Sequence, residues 1–314
     1  MALLLKKIGA NGPATIIPTM KRRRFLATVA AAGVAAARPA TTGMAAQAQP
    51  VKRKGRIKQA LFRNVFGNPN MAFDDQCRLA AELGCVGFDL IAPQDWPTLK
   101  KYGLIPTMAP ANPVTFQDGL IRKELHGEIE RGLREAIDQC AAGGCPNIIT
   151  VGGQRRGMSL TEGADNCVAF FNRIKSHAED KGVTICLENM NSRYPDNVLG
   201  RPDQICDHVG WGFDVCKRVN SPRVKMLYDI YHAQVMDGNL CATITDNLAW
   251  IGHFHTAGVP GRHELDDTQE INYRFVAKTI ADLGFTGFIA HEYRPSPGRD
   301  PMESLRQALD IMDA

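Results

Sequence analysis

The 314-residue chain lacks the long apolar run that a membrane-spanning helix needs. No stretch reaches about 18 consecutive apolar residues, the length that crosses the hydrocarbon core of a bilayer. The chain also lacks a glycine-rich dinucleotide fingerprint after its first predicted strand, and it lacks any Cys-x-x-Cys pair. These absences argue against a membrane-embedded protein, a nucleotide-binding open sheet and a thiolate zinc or redox motif.

Nine cysteines are present, an odd number that fits poorly with a complete disulfide framework. Several of them, such as Cys85, Cys186 and Cys206, stand in apolar patterns typical of strands or helices. Free cysteine is an ordinary residue of protein cores. We therefore expect few or no disulfides.

The N-terminal 48 residues have the parts of an export signal. Lys21–Leu26 contains an Arg-Arg-x-Phe-Leu pattern, an alanine-rich apolar run follows over 27–37, and a small-residue cleavage site stands at 46–48. The pattern resembles a twin-arginine signal, which directs folded bacterial proteins across the inner membrane. We expect residues 1–48 to be cleaved and the mature protein to be periplasmic, without stable membrane insertion. A mitochondrial-type leader or a short membrane anchor is the alternative, and Met20 is an alternative start.

The positive charge of the whole chain belongs to this leader. Residues 1–48 hold seven Lys or Arg and no Asp or Glu, so removing them changes the formal net charge from +4 to −3. Residues 49–55 are predicted to be a linker, with the basic cluster over 52–56 as a solvated approach to the domain. A mature chain of this charge has no general signature of polyanion binding, so we expect no nucleic-acid partner.

From residue 56 to residue 314 the pattern alternates between apolar runs of strand length and amphipathic helical stretches. The predicted strands are Ile57–Phe62, Cys85–Ile91, Leu104–Ala109, Asn147–Val151, Thr184–Met190, Val224–Ile230, His253–Val259 and Phe288–Arg294. The predicted helices are Phe73–Leu83, Trp96–Tyr102, Leu120–Ala142, Thr161–Lys181, Pro202–Val219, Asn239–Ala249, Tyr273–Leu283 and Pro301–Met312. Eight strand-then-helix units predict a single-domain α/β fold, the (β/α)8 TIM barrel. The alternative is a doubly wound open sheet.

An ionisable residue stands late in each of the last four predicted strands: Glu188, Asp229, His255 and Glu292. Buried charges are costly unless they are paired or bound to a metal, and barrel active sites lie at the carboxyl ends of the strands. Three carboxylates and one imidazole suit Mg²⁺ or Mn²⁺, with Co²⁺, Zn²⁺ and Ni²⁺ also open. Taken singly, each glutamate could be a salt-bridge partner. The neighbouring His253 and His291 could be core residues.

Five segments resemble those of one family: Leu187–Asn189, Tyr228–Leu240, Ala257–Glu264, Glu270–Tyr273 and His291–Pro295. Asp-x-x-His-Ala-Gln-x-x-Asp-Gly-Asn-Leu, which begins at Asp229, is the longest of the matching patterns. The family is that of the hydroxypyruvate isomerases, within the xylose isomerase-like barrels. The resemblance is specific over about 184–312 and only architectural before that.

The resemblance implies a metal held by Glu188, Asp229, His255 and Glu292, with the two glutamates also transferring protons. It places His232 and Arg262 at substrate-contacting positions. The chain departs from the family at His255, where bacterial hydroxypyruvate isomerases carry Gln and the ketose 3-epimerases carry His. Strand two ends in Asp89 rather than the more common Glu, and the leader is foreign to a cytoplasmic isomerase.

The expected function is therefore metal-dependent isomerisation of a small hydroxy-carbonyl compound or sugar, most simply hydroxypyruvate, through an enediolate. Arg262 and His232 would hold the hydroxyl or carboxylate end of the substrate. A ketose 3-epimerase is the alternative enzyme, and a non-catalytic sugar-binding barrel or a DNA-repair endonuclease are alternatives of other classes. A homo-oligomer is compatible with the sequence.

Overall fold

A ring of parallel strands forms the centre of the fold. The computed structural model describes residues 51–110, 113–194 and 200–314, so the predicted export signal and residues 49–50 of the predicted linker lie outside the described residues. Within the described ranges the strands are Lys58–Leu61 (β1), Gly87–Asp89 (β2), Ile105–Met108 (β3), Asn147–Thr150 (β4), Thr184–Glu188 (β5), Val224–Asp229 (β6), Ile251–Thr256 (β7) and Phe288–His291 (β8). Each lies within its predicted range except β7, which begins two residues before the predicted start at His253.

The strands follow one another around the ring in the order β3-β2-β1-β8-β7-β6-β5-β4, and every ladder is parallel. Between β3 and β4 the ring is joined by a single bridge from Ala109 to Ile148. There the Ala109 N–H donates to Asn147 O at 2.9 Å, and the Ile149 N–H donates to Ala109 O at 3.1 Å. The predicted (β/α)8 barrel is confirmed.

Helices cover the outside of the ring. In the described part of the chain they are Phe73–Glu82 (α1), Trp96–Lys101 (α2), His126–Gly143 (α3), Leu160–Lys181 (α4), Val209–Val219 (α5), Ile230–Met236 (α6), Leu240–Asn247 (α7), Tyr273–Asp282 (α8) and Pro301–Ile311 (α9). The short helix α6 begins directly after β6, where no helix was predicted. It extends the chain over the carboxyl end of the barrel.

Two predicted helix starts are wrong, both because a loop binds to the barrel before its helix begins. The helix expected from Leu120 begins at His126, since the N–H groups of Leu120 and Ile121 donate to the carbonyls at 151 and 152. The helix expected from Pro202 begins at Val209, since the Ile205 N–H donates to the carbonyl of residue 153. Both loops lie at the carboxyl ends of the strands.

Two apolar layers stabilise the barrel. The larger lies between strands and helices, and a small inner cluster of Met108, Cys186 and Leu227 fills the ring below the polar end. All nine cysteines are free thiols, and all but Cys241 are buried. Among the described helices, none combines the length and apolar character that crossing a bilayer requires.

The chain approaches the barrel on the side away from the carboxyl ends of the strands. The Val51 N–H donates to Glu82 O at 2.8 Å, at the end of α1. Arg53 Nη1 lies 2.5 Å from Asp310 Oδ1 on α9. Residues 51–53 of the predicted linker thus contact the outer helices.

Candidate active site

The period of two along a strand explains why four ionisable residues face one point. Side chains two residues apart on a strand point to the same side. Each predicted ligand follows an inward-facing residue by two positions; the pairs are Cys186 and Glu188, Leu227 and Asp229, His253 and His255, and Ala290 and Glu292. Asp229 lies opposite His255 in the ladder of β6 and β7. Glu188 lies opposite Leu227, and His255 lies opposite Ala290, so the ligand positions step by two residues between β5 and β6 and between β7 and β8 while their side chains stay on the inner side.

The structure brings the four predicted ligands together. Ligand atoms of Glu188, Asp229, His255 and Glu292 all lie within 4.8 Å of one another. His255 Nδ1 is 3.3 Å from Glu188 Oε1 and 3.1 Å from Glu292 Oε2. Glu292 Oε2 also lies 2.6 Å from Arg262 Nη2. Three carboxylate oxygens around one imidazole nitrogen are a donor set that fits a divalent cation.

Asp89, at the end of β2, fixes the ring of His255. Its Oδ2 lies 3.0 Å from His255 Nε2 and 2.8 Å from His253 Nε2, and its Oδ1 accepts a 2.5 Å hydrogen bond from Thr107. A carboxylate can only accept, so Nε2 of His255 carries a proton, and Nδ1, which faces the two glutamates, is the nitrogen that could bind a metal ion. An outer carboxylate that orients a ligating imidazole in this way is usual in metal sites.

The Asp-x-x-His pattern is explained by a helix cap. Asp229 Oδ1 accepts from the N–H of His232, which makes Asp229 the N-cap of α6 and sets His232 one turn into the helix. The Asn189 amide ties the two strand ends together, since its oxygen accepts from Asp229 N–H and its nitrogen donates to Asp229 O. The Glu-Asn pair at the end of β5 thus also has a structural cause.

Arg262 lies across the site on the loop after β7. Its Nη2 is 3.1 Å from Asp229 Oδ2 and 2.6 Å from Glu292 Oε2, and its Nη1 is 2.8 Å from His232 Nε2. Because a guanidinium only donates, His232 Nε2 accepts and the ring is neutral. Burial lowers the pKa of His232 well below its usual range, and the nearby charge of Arg262 lowers it further.

The two glutamates have different electrostatic surroundings. Burial raises the pKa of Glu188 above its usual value, and the hydrogen bond from His255 only partly offsets this. Burial also tends to raise the pKa of Glu292. The charge of Arg262 and the contact with His255 outweigh this effect, so the pKa of Glu292 is lowered. The asymmetry follows from Arg262, which contacts only the second glutamate.

A cavity of about 110 Å³ opens directly above these groups. Its charged or ionisable lining residues are Glu188, Glu292, His232, Arg201, Arg262 and Arg294. Both predicted substrate-contacting residues, His232 and Arg262, therefore face the space that the glutamates face. The site is small, enclosed by loops, and strongly polar.

Fold and site together define a TIM barrel with a candidate metal centre at the carboxyl ends of its strands. Residues 77–314 match the family model described as xylose isomerase-like TIM barrel. The chain belongs to this family.

Named relatives are isomerases. A zebrafish (Danio rerio) protein named putative hydroxypyruvate isomerase is 32% identical over 57% of this chain and 66% of its own length. A Pectobacterium atrosepticum protein named 2-oxo-tetronate isomerase is 27% identical over 72% of this chain and 88% of its own length. The matched part thus spans slightly less than two thirds of the zebrafish protein.

A solved structure with a different title has the same fold. The Brucella melitensis protein described as AP endonuclease, family 2, superposes with a TM-score of 0.69 and 25% identity, covering 78% of this chain and 95% of that one. One barrel architecture thus carries both isomerase and endonuclease names among the proteins that resemble this chain.

Sequence reasoning missed the residues that hold the site in shape. Asp89 appeared only as a departure from the family pattern, and the contacts of Asn191, Arg201 and Phe116 were not foreseen. Asp89 and His255 are 166 positions apart, so no local pattern joins them. A polar residue at the end of a buried strand was the one available signal for Asp89.

Proposed function

We propose that this chain is a metal-dependent isomerase that interconverts hydroxypyruvate and 2-hydroxy-3-oxopropanoate. The observation that carries the proposal is the placement of Glu188 and Glu292 within 3.3 and 3.1 Å of the same nitrogen of His255, with Asp229 beside them and one small cavity above. The names of the zebrafish and Pectobacterium relatives support an isomerase of small 2-oxo acids.

Two carboxylates that face one substrate can move a proton between adjacent carbons. One glutamate accepts the proton from C3 of hydroxypyruvate, which leaves an enediolate, and the other delivers a proton to C2. The hydroxyl proton of O3 passes to O2, so the reaction gains and loses no proton overall. A divalent ion held by Glu188, Asp229, His255 and Glu292 would supply Lewis-acid polarisation of the substrate carbonyl.

The other residues keep this geometry in place. Asp89 holds the imidazole of His255, and Arg262 holds the carboxylates of Asp229 and Glu292 in the absence of substrate. Neutral His232 lines the cavity and accepts from Arg262 Nη1, which fixes the position of that guanidinium. Helix α6 and the loop after β7, which supply His232 and Arg262 to the cavity lining, restrict the access of water to the enediolate.

The test is isomerisation by protein stripped with EDTA and reloaded with one metal at a time. We expect Mg²⁺ or Mn²⁺ to restore conversion of hydroxypyruvate, with Co²⁺, Zn²⁺ and Ni²⁺ as further arms. Free ketoses such as fructose test the alternative of 3-epimerisation. Turnover of ketoses without turnover of hydroxypyruvate would replace the proposed reaction by that alternative, and inactivity on both would favour a binding barrel.

Because the similar Brucella melitensis protein is described as an AP endonuclease, nuclease activity is a useful control. The same metal-loaded preparations are incubated with duplex DNA that contains one abasic site. We expect no cleavage, because the mature net charge is −3 and phosphate binding relies on clustered positive charge. Strand cleavage at the abasic site would contradict the proposed function.

A further inference from the structure

Arg201, which is half-buried, contributes a second guanidinium to the cavity. Its Cζ lies 3.6 Å from the centroid of the Phe116 ring, a close stacking geometry. Both residues line the same cavity as Glu188 and Glu292. Burial lowers the pKa of Arg201, and the charge of Glu188 opposes that effect, which places its charge within electrostatic reach of the reacting end of the site.

The backbone of Arg201 and the segment that carries Phe116 are held in place by three contacts. The Arg201 N–H donates to Asn191 O at 2.8 Å, just beyond the end of β5. Gln204, which is 2% exposed, donates from its side chain to Phe116 O at 2.8 Å. At Gly200 a Cβ atom would stand 2.3 Å from Asn191 Oδ1, so the backbone there approaches Asn191 more closely than any larger residue allows.

Arg262 is already engaged with the protein. Both of its terminal nitrogens contact side chains, Nη2 those of Asp229 and Glu292 and Nη1 that of His232. The end-on fork of a guanidinium needs both terminal nitrogens to hold a carboxylate. Arg262 therefore serves the catalytic carboxylates, and the other cations of the cavity lining are Arg201 and Arg294.

We propose that Arg201, stacked on Phe116, binds the carboxylate of the substrate and makes the site selective for 2-oxo acids over neutral ketoses. This inference rests on the proposed function, because it assigns the substrate class of the same cavity. A ring-stacked guanidinium is held flat and presents its edge, the arrangement that matches a planar carboxylate. A neutral ketose would gain nothing from a charge at this position.

The test compares hydroxypyruvate with dihydroxyacetone, which has a hydroxymethyl group in place of the carboxylate and can undergo the same isomerisation. Arg201→Gln should lower kcat/KM for hydroxypyruvate by about 10- to 100-fold, the range for losing a hydrogen bond to a charged group. The value for dihydroxyacetone should change by less than about threefold. Arg201→Lys should fall between wild type and Arg201→Gln, because it keeps the charge and loses the fork.

The matched control is Arg218→Gln, which removes an exposed arginine that pairs with Asp165 on the outside of the barrel. Arg218→Gln should leave kcat/KM unchanged for both substrates. If Arg201→Gln lowers kcat/KM equally for the two substrates, Arg201 acts on the fold and the proposal is overturned. If Arg294→Gln removes the carboxylate preference and Arg201→Gln does not, the proposal is also overturned.

Binding of D-glycerate separates this inference from the proposed reaction. D-glycerate carries the carboxylate and hydroxyls but no carbonyl, so it cannot be isomerised. By calorimetry with Mn²⁺ present, its affinity should fall at least about 10-fold in Arg201→Gln. An unchanged affinity would overturn the inference, whereas inactivity of the wild type on hydroxypyruvate with Arg201-dependent glycerate binding would overturn only the proposed reaction.

Discussion

At the scale of single residues, the site depends on which nitrogen of His255 carries a proton. Asp89 sets this by accepting from Nε2 at 3.0 Å, which leaves Nδ1 free to ligate. Asp89 acts on the metal site only through the imidazole of His255, since Asp89 itself lies on the far side of the ring from the other carboxylates.

Asp89→Asn should therefore weaken metal binding without removing a ligand. Both imidazoles contact the same oxygen of Asp89, and an uncharged amide oxygen at that place would hold their Nε2 protons less strongly, so the Nε2–H tautomer of His255 would be less favoured. We expect the affinity of stripped protein for Mn²⁺, measured by calorimetry, to fall about 10- to 100-fold. Asp74→Asn, an exposed carboxylate on α1, is the control, and equal Mn²⁺ affinity in the two variants would count against the tautomer argument.

At the scale of elements, helix α3 offers two glycines with opposite surroundings. A Cβ atom at Gly143 would stand 2.1 Å from Cζ3 of Trp96, whereas one at Gly127 would meet nothing within 4 Å. The end of α3 approaches the start of α2 because glycine leaves room for the Trp96 ring.

Gly143→Ala should destabilise the protein by about 1–3 kcal/mol, the usual cost of overpacking. Gly127→Ala should be neutral or stabilising by up to about 1 kcal/mol, since alanine is the better helix former. Denaturant unfolding of the two variants measures the difference. Equal stabilities would show that Trp96 moves away at no cost.

The start of α3 gives a pH-dependent contribution to stability. His126 is buried, its Nε2–H donates to Leu120 O at 2.8 Å, and burial lowers its pKa. A base whose pKa is lower in the folded state stabilises the fold fully above its unfolded pKa, about 6.5. That stability is lost as the pH falls below this value, because the unfolded chain binds the proton more readily.

His126→Gln should therefore lose less stability than the wild type between pH 7.5 and pH 5.5, in urea unfolding at both values. His208→Gln is a control of opposite sign. The hydrogen bond to Asp237 raises the pKa of His208, so its contribution is present below pH about 6.5 and lost as the pH rises. Parallel pH profiles for wild type and His126→Gln would contradict the assignment.

At the scale of the whole molecule, much of the architecture could be predicted from the sequence. Strands of a parallel barrel are buried on both faces, so their apolar runs stand out, and a ligand late in each of four strands indicated the site. Loops could not be predicted in the same way. Leu120 and Ile121 carry an apolar pattern that suits a helix, and only the carbonyls at 151 and 152 show why they bind elsewhere.

The same limit applies to the groups around the candidate ligands. Each candidate ligand belongs to a local pattern, whereas the Asp89–His255 and Arg201–Phe116 contacts join distant segments. Residues that position others are recognised only once the barrel has closed, because their partners lie on other strands and loops.

Export of the mature barrel in the folded state is a further proposal at this scale, motivated by the Arg-Arg-x-Phe-Leu pattern at 22–26. A fusion of residues 20–50 to a folded reporter should reach the periplasm of a bacterium with a twin-arginine system. Arg22→Lys combined with Arg23→Lys should retain the reporter in the cytoplasm. Unchanged export of the double variant would point to the general secretory route or to an anchor.

Deuterium exchange tests the central claim, proton transfer by Glu188 and Glu292, most directly. Hydroxypyruvate is incubated in D₂O with metal-saturated wild type, Glu188→Gln or Glu292→Gln, and deuterium at C3 is followed by NMR. The account predicts exchange by the wild type and a reduction of about 10²–10⁴-fold in the variant that lacks the C3 base, with metal still bound. The other variant should retain exchange but lose product formation. Wild-type exchange no faster than in buffer, or undiminished exchange and product formation in both saturated variants, would contradict it.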